Sequence, residues 1–187
     1  AEIVLQLDEL HRRTIYSDFT LLTIIHARLG EQAFGTTPGY AEVMATLRAY
    51  KQEDLWLLTE WAETIAKEQA ALYALGIDIE YTEAFPATVN HPEAMQIVRR
   101  AVKATGALLR EVEEPFRWSE DFGHFAQVAR TAFFGIGAGE FHPQLHHPMY
   151  DFPDAVTEIG ISVFEAIVRE LLGEERDGCT TSSERSD

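Results

Sequence analysis

Apolar residues recur along this chain with two distinct periods, and the periods predict its elements. Ile3, Val4, Leu7 and Leu10 stand at helical spacing and predict a helix over Glu2 to Thr14. Thr20 to Leu29 is rich in leucine and β-branched residues and predicts a strand. The following G-T-T-P-G stretch, inside Glu31 to Gly39, is a loop. Tyr40 to Tyr50 then alternates, with Ala41, Val43, Ala45 and Leu47 on one face and Glu42, Met44, Thr46 and Arg48 on the other. That is a half-buried strand, and its period of two turns Arg48 toward solvent or a ligand. Leu55, Leu58, Ala62, Ile65, Gln69 and Leu72 form the stripe of a long amphipathic helix, with Gly76 expected as its cap. Ile77 to Ala84 reads as a further strand.

Two prolines punctuate Phe85 to Pro92, and a domain boundary is placed there. Beyond it, Glu93 to Thr105 is a helix with Ile97, Val98, Ala101 and Val102 inward, ended by Gly106. Ala107 to Val112 and Thr131 to Ile136 read as strands. Between them Ser119 is placed to cap a helix running to about Ala129. Asp151 or Asp154 opens a last helix whose apolar face holds Val156, Ile159, Val163, Phe164, Ile167 and Leu171. The expected class is α+β for residues 1–88, an antiparallel pair with helices on one face, and α/β layering for residues 89–174. Residues 175–187 are polar and expected to be disordered.

Composition narrows the function classes. The 187 residues allow one domain or two small ones, and 46% apolar content suffices for a packed core. The net charge of −16, with no basic patch, argues against nucleic acid as a partner. It reads first as a solvated surface. No apolar run approaches the ~20 residues of a membrane span, so no membrane partner is expected. No basic leader precedes an apolar core, and the chain opens directly on a helix, which suits a segment of a longer fold. Cys179 is alone, in the polar tail, which points to a reducing, cytoplasmic compartment rather than to a catalytic thiol.

Candidate chemistry collects between Trp118 and Asp154. W-S-E-D-F-G-H-F is followed by F-F-G-I-G-A-G and then by L-H-H-P-M-Y-D-F-P-D. A glycine turn beside a histidine loop gives backbone freedom where a ligand approaches, with imidazoles next to it. Taken alone, His146 reads as an exposed imidazole before it reads as a metal ligand, and His142 reads as a loop residue. Glu120 and Asp121 read as a charged first helical turn. Gly135, Gly137 and Gly139 lack the βαβ context of a dinucleotide loop. No H-E-x-x-H, C-x-x-C or serine elbow occurs.

The three motifs, in this order, resemble the C-terminal half of the di-zinc amidohydrolase and peptidase family, which includes aminoacylases, carboxypeptidases and hippurate hydrolases. The resemblance runs from the first helix to about Leu172. It implies a partial lid or dimerisation domain at residues 1–88 and the C-terminal part of an α/β catalytic domain at residues 89–174. It implies an enzyme that hydrolyses an N-acyl amino acid or a related amide with two zinc ions. It makes His146 a zinc ligand and Gly137 and Gly139 a substrate wall, whereas His147 reads first as an exposed imidazole, with a group bonded to a metal ligand or facing substrate as the alternative. His147 departs from the family, which more often has a small polar residue there. Arg48, in A-T-L-R where the family has G-T-I-R, would hold a substrate carboxylate, a task that suits a guanidinium. An ordinary solvent-facing arginine is the equal alternative. Gly35 stands where the family has an asparagine, which removes that side chain's contact. His26 reads as structural. The remaining ligands and the catalytic base belong to the family's N-terminal half, so this chain alone is expected to be inactive. A homodimer through residues 1–88 is also implied. The alternative from another class is a non-catalytic dimerisation or binding module.

Overall fold

The computed structural model describes residues 1–173 except Thr14 and Ser119. The expected cap Ser119 and the polar tail 175–187 lie outside the described residues. The elements are α1 (Glu2–Leu10), β1 (Thr20–Leu29), β2 (Ala41–Ala49), α2 (Gln52–Leu72), α3 (Pro92–Thr105), a 3-10 helix (Asp121–Gln127) and α4 (Ala155–Leu172). They fall into two units. One is Ala1–Thr88 with Glu113–His124; the other is Val89–Val112 with the chain from Phe125 onward.

In the first unit β1 and β2 form an antiparallel pair, Thr20 opposite Ala49 and Leu29 opposite Ala41. The alternation of β2 turns Val43, Ala45 and Leu47 against a core made of Leu7, Leu10, Leu22, Leu58 and Ile65. These five come from α1, β1 and α2, so both helices cover one face of the sheet. A bulge between Ile24 and His26 makes Ile25 the extra residue of β1. It reverses the inside–outside order beyond it, which strict alternation does not anticipate. The hairpin closes through Gly30, whose N–H donates to the Tyr40 carbonyl at 2.8 Å. Gly30 has φ of 56°, and an added Cβ would lie 2.9 Å from Pro38 Cβ, so the turn needs glycine there.

Asp54, in the first turn of α2 and 4% exposed, ties the chain ahead of β1 to that helix. Its carboxylate accepts from Ser17 N at 2.9 Å, Ser17 Oγ at 3.0 Å and Asp18 N at 2.9 Å. The far end of α2 corrects one expectation. The helix stops at Leu72, and the left-handed residue is Ala74 (φ 53°), not Gly76. The Leu75 N–H bonds back to the Ala70 carbonyl at 2.8 Å, which satisfies the end before Gly76 is reached.

The strands expected at residues 77–84, 107–112 and 131–136 form no ladder: among the described residues the β1–β2 pair is the only sheet, and Glu83 turns left-handed (φ 54°) within the first of them. Strand propensity extends a segment, but a ladder needs a neighbour to take its N–H and C=O groups. The segment following α2 is held instead by side chains. Tyr81 donates its hydroxyl to Glu63 at 3.0 Å, and Gln52 Oε1 accepts from Ala87 N at 2.9 Å. Burial and the Glu63 carboxylate push the Tyr81 phenol up to about 12.

In the second unit helix packs on helix, and among the described residues no sheet forms there, which corrects the α/β layering expected for residues 89–174. Val98 and Val102 of α3 meet Val163 of α4, with Phe134 and Ile167 around them. Gly106 ends α3 in the left-handed conformation (φ 75°), as the sequence predicts. Asn90 takes the part of a strand neighbour: its side chain accepts from Phe133 N at 2.6 Å and donates to Phe133 O at 2.8 Å. Gly160 admits Ile136 closely, since an added Cβ would lie 3.1 Å from Ile136 Cδ1. The apolar face predicted for α4 is covered only in part: Val163 is buried, while Ile159, Phe164 and Leu171 remain exposed. Nor is the expected helix after position 119 an α-helix. It is the short 3-10 turn, pressed at Gly123 so closely that a Cβ would lie 2.3 Å from Pro86 O.

Candidate functional site

Residues 137–154 join the segment 131–136 to α4, and they carry four of the five candidate residues. Gly139 has φ of 111°, a conformation that side chains disfavour. Its carbonyl accepts from His142 N at 3.3 Å. Gly137 has open space where a Cβ would stand, so its lack of a side chain is not required by packing in this unit. His142, read from sequence as a loop residue, braces the segment. Its Nδ1 lies 2.9 Å from the Pro143 carbonyl and its Nε2 2.8 Å from the Asp151 carbonyl, with its ring edge-on to Tyr150 at 5.1 Å.

His146 is exposed and has φ of 66°, one of three non-glycine residues with positive φ among the described residues. Such a conformation carries a cost and persists where the surroundings enforce it. Here the next turn does so: the Gln144 carbonyl accepts from His147 N at 3.1 Å, and the His147 carbonyl accepts from Tyr150 N at 2.9 Å. The His147 ring is already engaged, because its Nδ1 accepts from Met149 N at 3.1 Å. The proton of the neutral ring therefore sits on Nε2. Among the described residues no group of three or more His, Cys, Asp or Glu side chains comes together to hold a metal ion.

Arg48 stands in the first unit, on the face of β2 away from the helices, opposite Leu21. Its Nη1 donates to the Arg117 carbonyl at 2.9 Å. That hydrogen bond ties Arg117, which immediately precedes the W-S-E-D-F motif, to β2 within the first unit. Arg117 itself lies over the Phe19 ring at 5.0 Å, and Phe116 stacks on Trp118 at 4.2 Å. Sequence reasoning passed over Phe116 and Arg117 and took Trp118 only as the start of the W-S-E-D-F motif; the run of aromatic residues around a lone arginine was the available signal. His26 makes a local contact with Glu42 at 3.4 Å, in keeping with a structural part. Around Gly35 the hairpin loop is open, and no atom lies within 4 Å of a built Cβ.

The profile of Peptidase family M20/M25/M40 matches residues 8–170. The chain belongs to that family. It is 28% identical over 149 residues to an "Uncharacterized hydrolase" of Staphylococcus epidermidis, covering 77% of this chain and 39% of that protein. It is 24% identical over 128 residues to "Putative amidohydrolase YhaA" of Bacillus subtilis, covering 66% of this chain and 32% of that one. Among solved structures it shares its fold with a "putative aminohydrolase from methicillin resistant Staphylococcus aureus", with a TM-score of 0.70 and 22% identity. That match covers 89% of this chain and 44% of the other. The chain therefore spans well under half the length of these relatives. Among the described residues no helix is long and apolar enough to cross a membrane.

Proposed function

We propose that this chain forms part of a zinc-dependent amidohydrolase acting on an N-acyl amino acid or a related amide. The observation that carries the reading is the presentation of His146. It is exposed, on a backbone held in the left-handed region, within a chain that matches the M20 family over residues 8–170. An imidazole so placed offers an open donor to a metal. Bound zinc would polarise the amide carbonyl and activate water. The described residues provide one such donor where a zinc site takes three or four, so alone they do not fit the ion. The other donors and the catalytic base are assigned to the parts of the longer relatives that lie outside the match. Residues 1–88 are assigned to a lid that also forms a homodimer, and residues 89–174 to the C-terminal part of the catalytic domain. In that lid Arg48 holds the substrate carboxylate, while Gly137, Gly139 and His147 border the substrate.

The test is a zinc titration of the chain followed by the histidine ring signals in NMR, beside an assay of N-acyl amino acid hydrolysis. The His146 ring is expected to move before the other six histidines, with weak affinity and no turnover. Movement of other rings with His146 unaffected would refute its role and favour a non-catalytic module. Submicromolar binding with turnover would refute the assignment of the missing groups to other segments.

A further inference from the structure

We propose that His142 is a proton-dependent clamp on residues 139–151: its charged ring closes the segment that presents His146 and His147, and loss of the proton releases it. The clamp goes beyond the zinc reading and needs no metal. His142 is a positioning residue, acting through the backbone that it holds.

Both nitrogens of the ring face carbonyl oxygens. Nδ1 lies 2.9 Å from the Pro143 oxygen and Nε2 lies 2.8 Å from the Asp151 oxygen. A carbonyl oxygen only accepts, so each contact is a hydrogen bond only where the nitrogen carries a proton. Neutral imidazole has one N–H and imidazolium has two. A neutral ring would set a nitrogen lone pair against an oxygen lone pair at one end or the other. Among the described residues neither carbonyl receives a backbone N–H, so the ring is the donor that each one has. The closed segment therefore binds a proton that an open segment does not require, and closure is linked to pH. Closure is favoured on the acid side and is lost as pH rises through the range, about pH 5 to 8, in which imidazole changes charge.

The surroundings give the clamp little other support. His142 N donates to the Gly139 carbonyl at 3.3 Å, so one residue gathers the start of the segment, the next carbonyl and a carbonyl nine positions on, just ahead of α4. Within the span so gathered, His146 holds its left-handed φ of 66°, a conformation that persists only where the surroundings enforce it. The ring is half-buried and edge-on to Tyr150, itself exposed, at 5.1 Å. The titratable groups nearest in the chain are Glu140, His146, His147, Tyr150, Asp151 and Asp154. Among the described residues Tyr150 is the one of these whose side chain meets the His142 ring, and no carboxylate pairs with it as Glu42 pairs with His26 at 3.4 Å. No fixed counter-charge holds the second proton on the ring; the two carbonyls do.

The full 187-residue chain, isotope-labelled and free of zinc, is followed by NMR from about pH 5 to about pH 9. The His142 ring nitrogens report its protonation. The nuclear Overhauser effect between the Tyr150 ring and the side chain at position 142 reports closure. Both are expected to change with one midpoint, the Overhauser effect falling about tenfold on the alkaline side, as loss of a charge-assisted bond implies. His142→Gln has no charge to lose and should make the Overhauser effect independent of pH. Asp151→Asn keeps the backbone carbonyl and should leave the shared midpoint in place. Circular dichroism verifies the fold of each variant. A closed segment whose His142 ring carries a single proton would overturn the proposal. So would an Overhauser effect that still falls with pH in His142→Gln, or one that becomes constant in Asp151→Asn. No readout involves zinc, so these failures leave the assignment of His146 as a ligand standing, and failure of the zinc titration leaves the clamp standing.

Discussion

Replacing Asp54 with alanine is expected to unfasten the first unit from the start of β1. The carboxylate is 4% exposed and gathers three donors, Ser17 N, Ser17 Oγ and Asp18 N, all within 3.0 Å. Hydrogen bonds to a charged group contribute about 1.5–3 kcal/mol each at most. The sum is smaller than three such bonds, because Ser17 and Asp18 are exposed and water replaces the lost acceptor. A loss of about 2–4 kcal/mol follows. Asp54→Asn keeps an acceptor oxygen but not the charge, and should lose about half as much. Burial by itself raises the Asp54 carboxyl, but the bonds from Ser17 and Asp18, with Lys51 nearby, outweigh it and hold the group below its ordinary range. A carboxyl depressed in the folded state stabilises that state above its unfolded value, roughly 3.9, and the contribution disappears as pH falls through the folded value. Urea unfolding followed by circular dichroism at pH 7 and again below about pH 4 measures both effects. Wild type and Asp54→Asn should differ at pH 7 and converge in acid. A midpoint unchanged by Asp54→Ala, or a difference that persists at the lowest pH, would refute the reasoning.

Two further outcomes are expected. Leu58→Ala empties the centre of the first core, where Leu58 is fully buried against Leu10 and Leu22, and should cost about 2–5 kcal/mol in the same urea assay. The chain should associate as concentration rises, because among the described residues β1 and β2 each pair on one side only and leave an open backbone edge. Sedimentation of the chain at moderate salt, where repulsion between exposed charges is screened over ~8 Å, is the measurement. A strictly monomeric chain would show that the edges are protected, and the bulge at Ile25 is the feature in β1 that would protect them.

Elements whose partners lie nearby in the chain were legible in the sequence. The patterns from Thr20 to Leu29 and from Tyr40 to Tyr50 predicted both strands, found at Thr20–Leu29 and Ala41–Ala49, and the stripe through Leu58 and Ile65 predicted α2. Each buries one face against a neighbour close in sequence, so local periodicity carries the information. The segments at 77–84, 107–112 and 131–136 have the same propensity but no neighbouring strand, and a ladder is a property of pairs. The motif order around Gly139 and His146 was also legible, because residue types and spacing are sequence properties. The left-handed backbone of His146, the bracing of its loop by His142 and the contact of Arg48 with the Arg117 carbonyl were not. Each depends on where distant backbone atoms stand once the chain has packed; Arg48 and Arg117 are 69 residues apart. Sequence determined which side chains were available for chemistry, and tertiary structure decided which backbone groups would hold them, because a hydrogen bond is set by position within about 3 Å and not by proximity along the chain.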